Sequence, residues 1–175
     1  MRVDTRQPLP DILKPGLSVI FCGINPGLRS ASSGHHFANG SNRFWRVVHL
    51  AGFSPEQIHP EQDRTLLRYG CGLTTAVSRP TARADELSRS EFATAASGFE
   101  RKIEHYAPRY IAFLGKIVLA GMSGRREIQW GPQPDAFGGA RAWVLPNPSG
   151  LNRAFDLDAL VAAYRAFRVA VASTP

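Results

Sequence analysis

Apolar positions along the chain follow two rhythms. Short continuous runs occupy 17–22 (LSVIFC), 71–77 (CGLTTAV), 110–115 (YIAFLG) and 141–146 (RAWVLP). Runs of this length, set off by glycine, proline and polar residues, read as buried strands. Longer stretches repeat apolar residues at helical spacing. Residues 42–51 put Phe44, Val47, Val48 and Ala51 on one face, with Ser41 as the expected cap and Gly52 as the stop. From 88 onward Phe92, Ala95, Ala96, Phe99, Ile103 and Tyr106 share a face. There Ser88 and Glu91 form a capping box, and Pro108 closes the segment. A last helix over 156–172 turns Leu157, Leu160, Val161, Tyr164 and Phe167 inward, and a polar helix is expected over 60–69.

Strands that are apolar throughout and alternate with helices indicate a parallel sheet covered on both faces. The predicted fold class is α/β, a three-layer α/β/α sandwich around a short, mainly parallel central sheet. No repeat, low-complexity tract or linker divides the chain, and 175 residues suit a single domain over 1–175. Ligands of open α/β sheets bind beyond the carboxyl ends of the strands. Two such ends carry distinctive loops, GINPGL (23–28) after the first strand and PNPSGLNR (146–153) after the last. In each, a proline holds the preceding asparagine out of helical geometry, and glycine allows a close turn. Asn25 and Asn147 are therefore expected side by side at one edge of the sheet. Ordinary turns use the same residue types, so a purely structural reading stands beside this one.

Composition narrows the classes further. No apolar run approaches the ~20 residues that span a bilayer. The start, MRVDTRQPLPDILKPG, has no leader-like apolar core, so a cytoplasmic protein with no membrane association is expected. Cys22 and Cys71 are too few for a four-thiolate site. His35 and His36 are adjacent in a loop with no third ligand in sequence view, so neither a metal nor a cofactor is expected. The charge is more telling. A net +7, from eighteen arginines and three lysines, favours polyanions and nucleic acid first. An arginine-rich solvated surface is the plainer account of the same number.

Four stretches in order then resemble one family. FCGINPGL (21–28), FANGSNRFWRVV (37–48), CGLT with RPT (71–74 and 79–81) and WVLPNPSGLNR (143–153) are similar to the mismatch-specific uracil-DNA glycosylases, bacterial relatives of thymine-DNA glycosylase. The likeness covers nearly the whole chain and implies the uracil-DNA glycosylase-like fold. Such enzymes flip a mispaired base from the duplex and hydrolyse its N-glycosidic bond, so the implied partner is double-stranded DNA with a G:U or similar mismatch, bound by a monomer.

The resemblance implies roles residue by residue. Asn25 sits beneath the flipped sugar and positions the attacking water; an amide orients water but cannot take its proton. Ile24 and Phe37 wall the pocket, Phe37 by stacking on the base, although a core phenylalanine is the alternative. Asn147 and Ser149 shape the pocket or grip phosphate. Gly150, Leu151, Asn152 and Arg153 form an insertion wedge, with Leu151 filling the hole left by the base and Arg153 reaching the opposite guanine or a phosphate. Asn152 stands where relatives often carry serine, and Thr75 where some carry lysine. Arg43, with Arg46, is expected to contact DNA phosphates, a solvated helix face being the other reading; Trp45 packs inward. The two histidines are expected to line the loop near the DNA or the base. No carboxylate lies in either motif, and Glu56, Glu61 and Asp63 read as solvated surface. A non-catalytic sensor of mismatched DNA is the alternative function. A phosphate-cradling nucleotide protein is disfavoured, because GINPG lacks the spacing such loops need.

Overall fold

The computed structural model describes residues 8–175; the reading of the first residues as lacking a leader falls in part on 1–7, outside the described residues. Four parallel strands form the sheet: β1 (Val19–Gly23), β2 (Cys71–Thr75), β3 (Tyr110–Leu114) and β5 (Arg141–Leu145). A two-residue β4 (Gly131–Pro132) adds antiparallel to β5, giving the order β2-β1-β3-β5-β4. The α/β three-layer fold with a mainly parallel sheet is as predicted.

Alternate residues of each strand feed two separate cores. Val19 and Phe21 of β1 pack with Leu73, Ala112 and Leu145 beneath α2 (Phe44–Leu50) and α5 (Leu157–Ser173). Ile20 and Cys22 face the other way with Ile111, Phe113 and Val144, beneath α3 (Arg89–Tyr106) and α4 (Lys116–Ser123). Phe21 is the hub of the first core, with Phe53 and Phe44 edge-on at 5.2 and 5.5 Å between centroids. Cys22 is fully buried, as expected of a small core residue.

The helices report their causes. Ser88 Oγ accepts from Glu91 N at 3.3 Å while Glu91 Oε2 accepts from Ser88 N at 2.8 Å, so the capping box of α3 is real. Asp156 Oδ1 accepts from Ala159 N at 2.8 Å and opens α5. The expected Ser41 cap of α2 is not formed. Ser41 Oγ turns to Asn39, and the N-cap position falls on Arg43 without a side-chain cap bond. Asn42 Oδ1 accepts from Phe44 N at 2.9 Å in an Asx turn just before the helix. Residues 60–69 are 3-10 turns broken at Gln62 rather than a regular helix. Two helices lie where none was predicted. α1 (Leu28–Ser33) occupies part of the supposed loop from Asn25 to Gly40, and α4 bridges β3 to the last strands.

Candidate active site

The β1–β2 ladder continues beyond the strand ends. Gly23 O accepts from Ala76 N at 2.9 Å, Ile24 O from Val77 N at 3.1 Å, and Pro26 O from Thr81 N at 3.1 Å. The GINPG turn and the RPT turn are thereby zipped together. Neither glycine of GINPG adopts a positive φ; Gly23 is the last residue of β1 and Gly27 caps α1. The rigidity of the turn comes from this ladder and Pro26, not from glycine freedom.

The zip fixes the Asn25 side chain. Its Nδ2 donates to the Arg79 carbonyl and to Thr81 Oγ1, both at 2.8 Å. A carbonyl only accepts, and Thr81 Oγ1 spends its own proton on Arg83 O at 2.7 Å, so the amide has one possible sense. Both amide protons are used, and Oδ1 remains as the acceptor. The RPT turn is itself tethered to α3 through Arg79, whose Nε lies 2.7 Å from Glu91 Oε1. This bond, with the Ser88 amide, holds the Glu91 carboxyl down at about 2.

Asn147 is wired in the opposite sense. Its Oδ1 accepts from Ser149 N at 3.0 Å, which leaves the two Nδ2 protons free to donate. The segment is held from below by Tyr164, whose hydroxyl donates to Pro146 O at 2.9 Å.

Asn25 and Asn147 line one cavity of about 400 Å³ at the carboxyl edge of the sheet, with Ile24, Phe37, Ser149, Gly150, Leu151, Thr75 and Thr81 also in its wall. No carboxylate lines it among the described residues. One face of Phe37 stacks on Phe44, centroids 4.0 Å apart and planes within 19°. Phe37 thus belongs to the cavity wall and to the core at once. Its φ of 53° is unusual for a bulky residue, a strain that surrounding structure must hold in place.

That surrounding structure includes Asp63, which the sequence reading placed on the solvated surface, and His36, which lines the same cavity. Asp63 is buried rather than solvated: Oδ2 accepts from His36 N at 3.0 Å and lies 3.5 Å from His35 Nδ1. His36 is buried too, its Nε2 2.7 Å from the Pro10 carbonyl and its own carbonyl accepting from Trp45 Nε1 at 3.0 Å. Burial lowers the His36 pKa below its ordinary value, so the ring is neutral and braces the Phe37 loop. Trp45 is buried, as its position predicted.

The segment expected to form a wedge, 150–153, divides. Leu151 projects with 68% of its surface exposed, and Arg153 is exposed as well. Gly150 passes so close to Ser41 that a Cβ there would lie 2.7 Å from the Ser41 carbonyl oxygen, which explains the glycine. Asn152 faces its own loop, Nδ2 donating to Asn147 O at 2.9 Å. Arg43 departs from the expected phosphate contact. Its guanidinium donates to four carbonyls of the wedge segment, those of Pro148, Ser149, Asn152 and Phe155. Arg46 is exposed on α2. The partners of Asn25 and Arg43 lie 54 to 112 residues away in sequence, too far for local pattern to connect them. The arginine and threonine of RPT were the available signal.

Among the described residues no cluster of His, Cys, Asp or Glu could hold a metal ion, and no helix is long and apolar enough to cross a membrane. Among solved structures the chain is similar to a Methanosarcina acetivorans protein, determined in solution by NMR and provisionally assigned as a uracil DNA glycosylase. The identity is 21%, covering 93% of this chain and 98% of that one, with a TM-score of 0.61, a likeness of fold. Residues 10–168, nearly the whole sequence, match the Uracil DNA glycosylase superfamily, and to that superfamily the chain belongs.

Proposed function

We propose that this chain is a single-domain, monomeric and monofunctional DNA glycosylase of the mismatch-specific kind, hydrolysing the N-glycosidic bond of uracil mispaired with guanine in duplex DNA. The observation that carries the reading is the pair of amides fixed in opposite senses around one cavity. An acceptor at Asn25 Oδ1 suits a water, and a donor at Asn147 Nδ2 suits a carbonyl oxygen of the base.

The reaction follows from that polarity. Leu151 enters the stack as the mispaired base swings out, a movement that costs a few kcal/mol and least where pairing is already poor. The base lies against Phe37, and aromatic stacking of this kind is worth ~1–3 kcal/mol. The C1′–N1 bond breaks first, leaving an oxocarbenium-like sugar and a base anion whose oxygen accepts from Asn147 Nδ2. A water held by Asn25 Oδ1 adds to C1′, its proton passes to solvent, and the base anion takes up a proton after release. Among the described residues the cavity wall holds no carboxylate to take the water's proton, and its one imidazole, His36, is tied through Nε2 to the Pro10 carbonyl and braces the loop. The enzyme therefore depends on a good leaving group such as uracil and gives a modest rate. Asn152 braces the wedge, and Arg153 reaches the opposite strand or a phosphate.

A single-turnover assay tests the reading, with enzyme in excess over a labelled duplex carrying one guanine–uracil mismatch. Alkali-sensitive cleavage at the uracil is expected, slowed about 100-fold or more in Asn25→Ala. Undiminished cleavage in the variant would remove Asn25 from the chemistry. Binding without cleavage across a panel of lesions would make the protein a sensor of mismatched DNA.

A further inference from the structure

We infer that Arg43 is the residue that pre-forms the insertion wedge, and that it acts on extrusion of the base rather than on cleavage of the bond. The inference rests on the glycosylase reading above. Arg43 Nη1 donates to Phe155 O at 2.7 Å, Nη2 to Ser149 O at 2.8 Å and Asn152 O at 3.0 Å, and Nε to Pro148 O at 3.3 Å. Its backbone amide adds a second bond to Pro148 O at 3.0 Å. The four carbonyls bracket Leu151 on both sides.

A planar fork of five donors can gather carbonyls that point at one spot from different directions, which a lysine ammonium cannot do. Without it those oxygens would turn toward solvent and the loop would open. Leu151 gains nothing from its exposed position in the free protein, since its side chain is apolar. It is held there by its loop. A wedge that is already ordered loses little conformational freedom on entering the duplex, so the base is expelled against a preorganised surface. Asn25 is anchored independently, through Arg79 and Thr81, and shares no hydrogen bond with Arg43. The Pro148–Ser149 peptide that orients Asn147 keeps its bond from the Arg43 backbone amide in any side-chain variant, and Pro146 stays on Tyr164. Loss of the guanidinium clamp should thus fall on extrusion.

The test compares two substrates in single-turnover cleavage: a guanine–uracil duplex, and the same uracil already unpaired in a single-stranded hairpin loop. Arg43→Gln is expected to slow cleavage of the duplex about 10- to 100-fold, and its loss on the looped uracil to be at least tenfold smaller. Arg43→Lys should be intermediate with the same bias, and it carries the comparison if the glutamine variant does not fold. Added to Leu151→Ala, the Arg43 change should cost the duplex reaction less than about threefold, because the wedge it shapes is already gone. Equal losses on both substrates, or full additivity with Leu151→Ala, would overturn the inference while leaving a working glycosylase. If the wild type cleaves neither substrate, the glycosylase reading itself fails and this inference falls with it.

Discussion

At Asn25 the atom left free is chosen by the atom that is tied down. The Arg79 carbonyl takes one Nδ2 proton and Thr81 the other, so the carbonyl end of the amide is presented. This makes aspartate a poor replacement, although a carboxylate could in principle take the water's proton. In Asn25→Asp one carboxyl oxygen would face the Arg79 carbonyl, an acceptor against an acceptor. The site favours the protonated acid, so the folded pKa is raised above the ordinary ~3.9. A carboxyl with a raised folded pKa is fully accommodated below its unfolded value and loses stability as pH rises through the folded one. The Tm of Asn25→Asp relative to wild type should therefore fall between pH 4.5 and pH 8, and its single-turnover rate at neutral pH should not exceed the wild type's. A pH-independent Tm difference would contradict the hydrogen-bonding sense assigned to this side chain. At this scale the two asparagines were legible from their Asn-Pro loops. Asp63 was not, because a lone acid in a polar stretch carries no mark of the buried amide it accepts from.

Among the elements, α3 and α5 were readable because caps and apolar stripes agree, and the strands because they are buried on both faces. α1 escaped notice because LRSASS shows no apolar face, although Pro26 before it and Gly34 in the left-handed region after it mark its bounds. α4 is short and nearly all apolar, so periodicity could not separate it from a strand or loop. Its packing explains a residue that its propensity would not. Gly121 lies mid-helix where a Cβ would come 2.5 Å from Phe92 Cβ of α3. Gly121→Ala gains helix propensity but overpacks this contact, at about 1–3 kcal/mol. A fall in Tm of about 3–10 °C is expected, with glycosylase activity of the folded enzyme retained because the change lies away from the cavity wall. A rise in Tm would mean that the helices separate at little cost.

Over the whole molecule the charge of +7 argues that phosphate neutralisation supplies much of the affinity for duplex. Binding should weaken linearly on a log–log plot against salt, by a slope of about −0.9 for each phosphate contacted. Arg153→Gln, at the exposed end of the wedge, should reduce that slope by about one if Arg153 meets a phosphate. An unchanged slope with altered preference for the base opposite uracil would assign it to the opposite strand's guanine instead. The two margins of the sheet carry a last consequence. Beyond β2, Ile12 closes the edge with a pair of 2.9 Å hydrogen bonds to Leu73. At the other margin β4 is only two residues long and ends in Pro132, which has no amide proton to offer. Neither rim presents a long ladder of unpaired backbone groups to a neighbouring chain. Edge-to-edge strand pairing between copies of the chain, a hazard of exposed sheet margins, is thereby disfavoured.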